Sequence, residues 1–231
     1  MTTIPAVILA SGGLDSTVMA AMAKAKGFAL HLLTIDYGQR HQYEIECAKS
    51  IATWLGVQDH KILQLDLRVF GGSALTDEIP VPTDRLSRER EHGIPVTYVP
   101  ARNTIFLSLA LAYAEVLNAP KIFFGANIRD YSGYPDCRQE FIQAFTEVAK
   151  QGTRQGQEGT PIEIVAPLLF MTKREIIQKG QELRVPFHLT NSCYHPGQDH
   201  RPCGHCDSCL IRQEGFQAAQ ISDPAPESST L

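Results

Sequence analysis

The sequence has no apolar run near the ~20 residues that a membrane-spanning helix needs. Its N-terminal apolar stretch, residues 6–10 (AVILA), is too short for the core of a secretory signal and gives way at once to a polar glycine loop. Nor is there an excess of one charge: 21 Lys and Arg face 25 Asp and Glu, for a formal net charge of −4. A weakly acidic chain has no global field for polyanions, so neither a nucleic-acid partner nor a membrane partner is expected. The phosphate-loop signature GxxxxGK[ST] is missing, and so is GxGxxG. Internal repeats are absent as well. These absences leave the expectation of a soluble, cytoplasmic protein with small-molecule ligands.

What is present is a chain of 231 residues, 43% of them hydrophobic, which suffices for one domain core without disulfide staples. Strand and helix patterns alternate along it. Residues 6–10, 29–36 (ALHLLTID), 60–66 (HKILQLD), 121–126 (KIFFGA) and 162–167 (IEIVAP) read as strands. Helices are predicted over 16–26, 42–56, 104–118, 138–150 and 173–184. Asn103 is placed to cap the third of these, and Thr172 with Glu175 has capping-box spacing for the last. The alternation predicts an α/β fold with a central parallel sheet covered on both faces. Ligands of such sheets bind beyond the carboxyl ends of the strands, and the motifs below follow predicted strands. Residues 71–97, rich in Gly, Pro and charge, are expected to form a long loop near the site. Residues 1–186 form the expected α/β domain, 187–219 a cysteine-bearing segment with a terminal helix, and 220–231 a disordered tail.

Ser11-Gly12-Gly13-Leu14-Asp15-Ser16-Thr17 lies between the first strand and the first helix. Two glycines let the backbone turn tightly and approach an anion. Free amides and the dipole at the helix start favour that anion, and Ser11, Ser16 and Thr17 can add hydroxyl bonds. A helix-capped turn without a ligand would have the same local pattern.

Four of the six cysteines, Cys193, Cys203, Cys206 and Cys209, spell C-x9-C-x2-C-x2-C. Four thiolates suit tetrahedral zinc, and with all four bound no position stays open, so the ion is read as structural. An iron–sulfur cluster is the alternative, though the further C-x3-C-P step is missing. His195, His200 and His205 lie close enough in sequence to replace a ligand.

Three further segments put charge and aromatic rings at the expected rim: 36–41 (DYGQRH), 99–103 (VPARN) and 130–138 (DYSGYPDCR). Singly, each could be an ordinary loop; together with the glycine loop they form one candidate pocket.

SGGLDST in this position resembles the mark of the pyrophosphate-loop ATPases, which adenylate a substrate and release pyrophosphate. The resemblance implies a Rossmann-like adenine nucleotide alpha hydrolase fold. It implies that ATP is held at Ala10, Ser11, Gly12, Gly13, Leu14, Asp15, Ser16, Thr17, Val18, Met19 and Ala20, with Asp15 positioning Mg²⁺ and Lys173 reaching the phosphates. Taken with DYGQRH, VPARN, DYSGYPDCR and NSCYHP…CGHCDSC, the chain from 6 to about 216 resembles the QueC family of 7-cyano-7-deazaguanine synthases. Leu14 stands where relatives often carry Gln. That resemblance implies a carbon–nitrogen ligase that converts 7-carboxy-7-deazaguanine and ammonia, with ATP, to the nitrile. It implies one structural Zn²⁺ per chain and leaves a homodimer open. Substrate candidates are then Arg40, His41, Arg102, Asn103, Asp130, Tyr131, Tyr134, Asp136 and Arg138, and the catalytic candidates are Asp15, Lys173 and Arg102. The competing reading is a tRNA-thiolating pyrophosphate-loop enzyme, which would need Cys137 as a reactive thiol.

Overall fold

The two longest apolar runs of the N-terminal third lie side by side at the centre of a sheet. A computed structural model describes residues 3–40, 42–57, 59–85, 93–129, 133–197 and 199–224. Strand β1 (Pro5–Leu9) pairs in parallel with β2 (Ala29–Asp36) on one side and β4 (Lys121–Phe123) on the other. Strands β3 (His60–Gln64) and β5 (Glu163–Val165) extend the sheet outward, giving the order β3-β2-β1-β4-β5 with every pairing parallel. The predicted parallel α/β architecture is therefore present.

Side chains of β1 alternate between two cores, as strand geometry requires. Val7 and Leu9 join Leu33, Ile35 and Ile122 beneath helices α3 (Arg102–Leu117) and α4 (Gln139–Gly152). Ala6 and Ile8 join Leu32 and Phe123 beneath α1 (Leu14–Ala25), α2 (Tyr43–Leu55), α5 (Lys173–Glu182) and α6 (Asp207–Ala219). Covering on both faces explains why the strands read as nearly continuous apolar runs.

Helix ends follow their local chemistry in part. Gly56 closes α2 at φ 66°, and Thr172 with Glu175 forms the predicted capping box of α5. Helix α3 differs from expectation. It begins at Arg102, preceded by Ala101 at φ 54°, so Asn103 is a helical residue rather than the cap. Its exposed donor is met from afar: Asn103 N–H donates to Asp136 Oδ2 at 3.1 Å. A cap supplied from 33 positions away leaves no trace in local spacing.

The described parts of the loop, residues 71–85 and 93–97, are woven into the fold rather than lying over it. Ala74 and Leu75 are buried, and Ala74 N–H donates to Val96 O at 2.9 Å. Further on, Thr83 bridges Cys206, Asp84 N–H donates to His205 O, and Arg85 pairs with the buried Asp207. The loop thus fastens the C-terminal segment to the sheet. At the other end of that segment Ile221 packs on the core and Asp223 takes a two-pronged bond from Arg212, at 2.7 and 2.8 Å. Residues 225–231 of the expected tail lie outside the described residues.

Candidate active site

Strand order reverses between β1 and β4, and there the carboxyl ends of the strands open into a cleft. The glycine loop forms one wall. Gly12 stands at φ 77°, and a Cβ there would lie 2.3 Å from Glu44 O and 2.7 Å from Ala48 N. Helix α2 therefore packs directly against the loop, and only glycine fits. Ser16 Oγ and Thr17 Oγ1 donate to Gly13 O, while Ser11 N–H and Gly13 N–H donate to Ser16 Oγ and Ser11 Oγ. These bonds hold the loop open at the start of α1, where first-turn amides lack intrahelical acceptors. Asp15, in that turn, receives Lys173 Nζ at 2.6 and 2.7 Å.

Of the residues expected to contact nucleotide, Ala10, Ser11, Gly13, Leu14, Asp15 and Ser16 line the cleft. Gly12 is turned toward α2. Thr17 is buried with its hydroxyl on Gly13 O, and Val18, Met19 and Ala20 are core residues of α1. The family-wide span thus includes a helix segment that supports the loop from behind.

The substrate candidates divide in the same way. Arg102, Asn103 and Tyr134 line the cleft, as does Cys137, the thiol of the competing reading. The Arg102 guanidinium lies 5.6 Å from the Tyr37 ring centre and 5.9 Å from that of Phe106. Burial works against its charge, yet Tyr37, Tyr134 and Asp136 around it hold it protonated. Asp136 is buried under the start of α3, where it caps that helix, and is not part of the cleft wall. Arg138 is exposed just ahead of α4, and Arg40 is exposed and donates to Asp77 O. A charged residue in a rim motif need not face the rim. His41, Asp130 and Tyr131 lie outside the described residues.

Sequence reasoning missed Glu44. It sits in the first turn of α2 and lines the cleft, and burial pushes its carboxyl up to about 8 against the pull of Arg102. Its only sequence signal is its place directly after the 36–41 segment. Tyr37, Phe106, Asn191 and Tyr194 complete the wall, and burial raises the Tyr37 hydroxyl to about 12. Burial likewise pushes the Cys137 thiol up to about 12, with Asp136 adding to it. A thiol protonated at neutral pH is a poor nucleophile, which does not favour the thiolation reading.

The four cysteine sulfurs lie within 4.8 Å of one another, and all four residues are buried. Tetrahedral thiolates at ~2.3 Å from zinc would stand about 3.8 Å apart, so the set fits such an ion with small adjustment. Backbone N–H groups of Tyr194, His195, Cys203, His205 and Cys206 donate to these sulfurs at 3.2 to 3.5 Å, which favours thiolates. The cluster could therefore hold a metal ion such as zinc. Two of the three nearby histidines are engaged elsewhere: His205 Nδ1 meets Asp84 Oδ1 at 2.8 Å, and His200 stacks on Tyr43. Among the described residues no helix is long and apolar enough to cross a membrane.

Known proteins are similar to this one over most of the chain. The family model described as Queuosine biosynthesis protein QueC matches residues 5–220. The 7-cyano-7-deazaguanine synthase of Paramagnetospirillum magneticum is 54% identical over 225 residues, covering 97% of this chain and 99% of that one. Its counterpart from Desulfatibacillum aliphaticivorans is 56% identical, covering 95% of this chain and 94% of that one. That of Pseudomonas aeruginosa is 55% identical, covering 96% and 97%.

Proposed function

The chain belongs to the QueC family of queuosine biosynthesis proteins, and from that premise we propose how its cleft performs the family's synthase reaction. Its activity is that of an ATP-dependent 7-cyano-7-deazaguanine synthase, a carbon–nitrogen ligase of queuosine precursor biosynthesis. One observation carries the mechanism: a single cleft joins the Asp15–Lys173 pair to a pocket walled by Arg102, Glu44 and aromatic rings.

A carboxylate resists ammonia because it is anionic and lacks a leaving group. Arg102 holds the carboxylate of 7-carboxy-7-deazaguanine as its counter-ion. The amides at the start of α1 and Lys173 hold the phosphates of ATP, and Asp15 would hold Mg²⁺, which would screen phosphate charge. Attack of the carboxylate on the α-phosphorus expels pyrophosphate and leaves an acyl adenylate. Ammonia displaces AMP to give the amide. In a second round the amide oxygen is adenylated, and loss of AMP and a proton leaves the nitrile. Both rounds rest on positioning and on stabilising developing phosphate charge. Glu44, with its carboxyl raised to about 8, can take and return protons from the amine and amide near neutral pH. Tyr37, Phe106 and Tyr134 give the deazaguanine ring apolar faces. Cys193, Cys203, Cys206 and Cys209 would hold one Zn²⁺, which would supply a structural cross-link and no open coordination position.

Purified protein incubated with 7-carboxy-7-deazaguanine, ammonium and Mg·ATP should yield first the amide and then the nitrile by mass, with AMP released in both steps. AMP formed on some other acid, with neither product present, would overturn the substrate assignment and spare the ATP site.

A further inference from the structure

Asn191 is a buried side chain with half of its hydrogen-bonding capacity unused. It is 6% exposed, and its Nδ2 has no hydrogen-bond partner among the described residues. Its other end is fixed: Oδ1 accepts the backbone N–H of Cys193 at 2.9 Å. Flipping the amide would set its NH₂ against that N–H, so the donor must point the other way. The backbone of Asn191 is tied to the glycine loop as well, with its N–H donating to Gly12 O at 3.1 Å. Its carbonyl lies 3.5 Å from where a Cβ on Gly13 would be. The residue belongs to the wall of the cleft and also to that of a second cavity beside the four cysteines.

A buried amide donor without a protein partner, on a residue whose backbone is bonded to the glycine loop, calls for an acceptor oxygen. A phosphate offers several, each carrying negative charge, and such bonds are stronger than neutral ones. We propose that Asn191 is a phosphate-binding residue of the nucleotide site, set in place by the backbone of a cysteine of the metal centre. The proposal rests on the reading of the cleft as an ATP site. It gives the four-cysteine segment a part in binding nucleotide: the turn that carries Cys193 also orders a ligand to the phosphates. No protein group among the described residues takes this donor, and the nucleotide completes it.

The test uses the metal-loaded full chain, with Mg²⁺ and inorganic pyrophosphate as one probe and adenosine as the other. Asn191→Asp keeps the oxygen that accepts from Cys193 and replaces the donor with an acceptor. Pyrophosphate affinity should fall at least tenfold, while adenosine affinity, metal content and melting temperature stay as in the wild type. Equal loss for both probes would mean that Asn191 only supports the fold, and unchanged pyrophosphate affinity would likewise overturn the proposal. Should the variant fail to fold or lose metal, the wild type decides: its Asn191 side-chain amide protons should shift in NMR spectra on adding pyrophosphate. Unmoved resonances at saturation would overturn the assignment. A wild type that binds neither pyrophosphate nor ATP would instead defeat the ATP-site reading itself.

Discussion

Lys173 Nζ lies 2.6 and 2.7 Å from the two carboxylate oxygens of Asp15, closing a pair across 158 positions of chain. The two residues come from the first turns of α5 and α1, so the pair joins two helix starts at the wall of the cleft. Both side chains keep some contact with water. Nucleotide with Mg²⁺ would divide the pair, with the metal on Asp15 and Lys173 on phosphate.

Lys173→Ala should therefore separate function from folding. A partly exposed ion pair contributes about 0–1 kcal/mol, and Asp15 alone remains favourable at a helix N-terminus. Loss of a cation that stabilises developing charge should lower kcat by about 10²–10³-fold. Denaturant titration and the rate of AMP release measure the two. A large loss of stability, or an unchanged rate, would refute this account of the pair.

Glu44 makes stability depend on pH. Its carboxyl titrates near about 8 in the fold, because burial disfavours the anion, and near about 4.3 in an unfolded chain. The folded protein thus binds the extra proton between those values. The stability it contributes is complete below the unfolded value and is lost as pH rises toward 8. Unfolding of the ligand-free wild type in denaturant should show that decline, and Glu44→Gln should remove this component. If both proteins have the same pH profile between pH 5 and 9, Glu44 is ionised in the fold.

The legible features are those set by near neighbours in sequence. Buried parallel strands announce themselves as apolar runs, so β2 spans the residues expected of it, 29–36. The Thr172–Glu175 capping box is three residues wide. Cys193, Cys203 and Cys206 lie before α6 and Cys209 in its first turn, and their spacing alone foretold that the four sulfurs come together. What stayed hidden depends on distant pairs. Asp136 reads as a substrate carboxylate because of its motif, but its partner is the start of α3. Arg138 and Arg40 sit in rim motifs, yet backbone direction turns them to solvent. Glu44 and Asn191 gain their significance only when α2 and the cysteine segment close on the glycine loop.

Gly215 tests that closure from the far side. It lies in α6, and a Cβ there would be 2.2 Å from Lys173 Cγ and 2.9 Å from Ile177 Cδ1. The stem of Lys173 runs over this glycine on its way to Asp15. Gly215→Ala should cost about 1–3 kcal/mol of stability through overpacking. It should also slow catalysis, since a displacement of about 1 Å at a catalytic group can cost ~10²-fold. Thermal melts and kcat measure the two effects. An alanine variant with wild-type stability and rate would mean that α5 and α6 can separate freely.

Removing the metal should disable the site without touching a residue of the glycine loop. The four clustered cysteines lie just ahead of and at the start of α6, whose Ser208, Ile211 and Arg212 help to wall the cleft. Arg212 is itself buried and donates to Thr190 O, Thr190 Oγ1 and Phe187 O, binding the cysteine segment to the turn before it. Four thiolates left without an ion would repel one another or take up protons, and the amides donating to them would lose their anionic acceptors. A strong chelator should therefore lower the melting temperature and weaken ATP binding together, and both should return on adding zinc. The released metal, measured with a chromogenic indicator, should amount to one ion per chain, and the intact protein should be colourless. Visible absorption from sulfur-to-iron charge transfer would show that the cysteines hold an iron–sulfur cluster instead. Unaltered ATP affinity after complete metal removal would mean that the cysteine segment is an independent appendage.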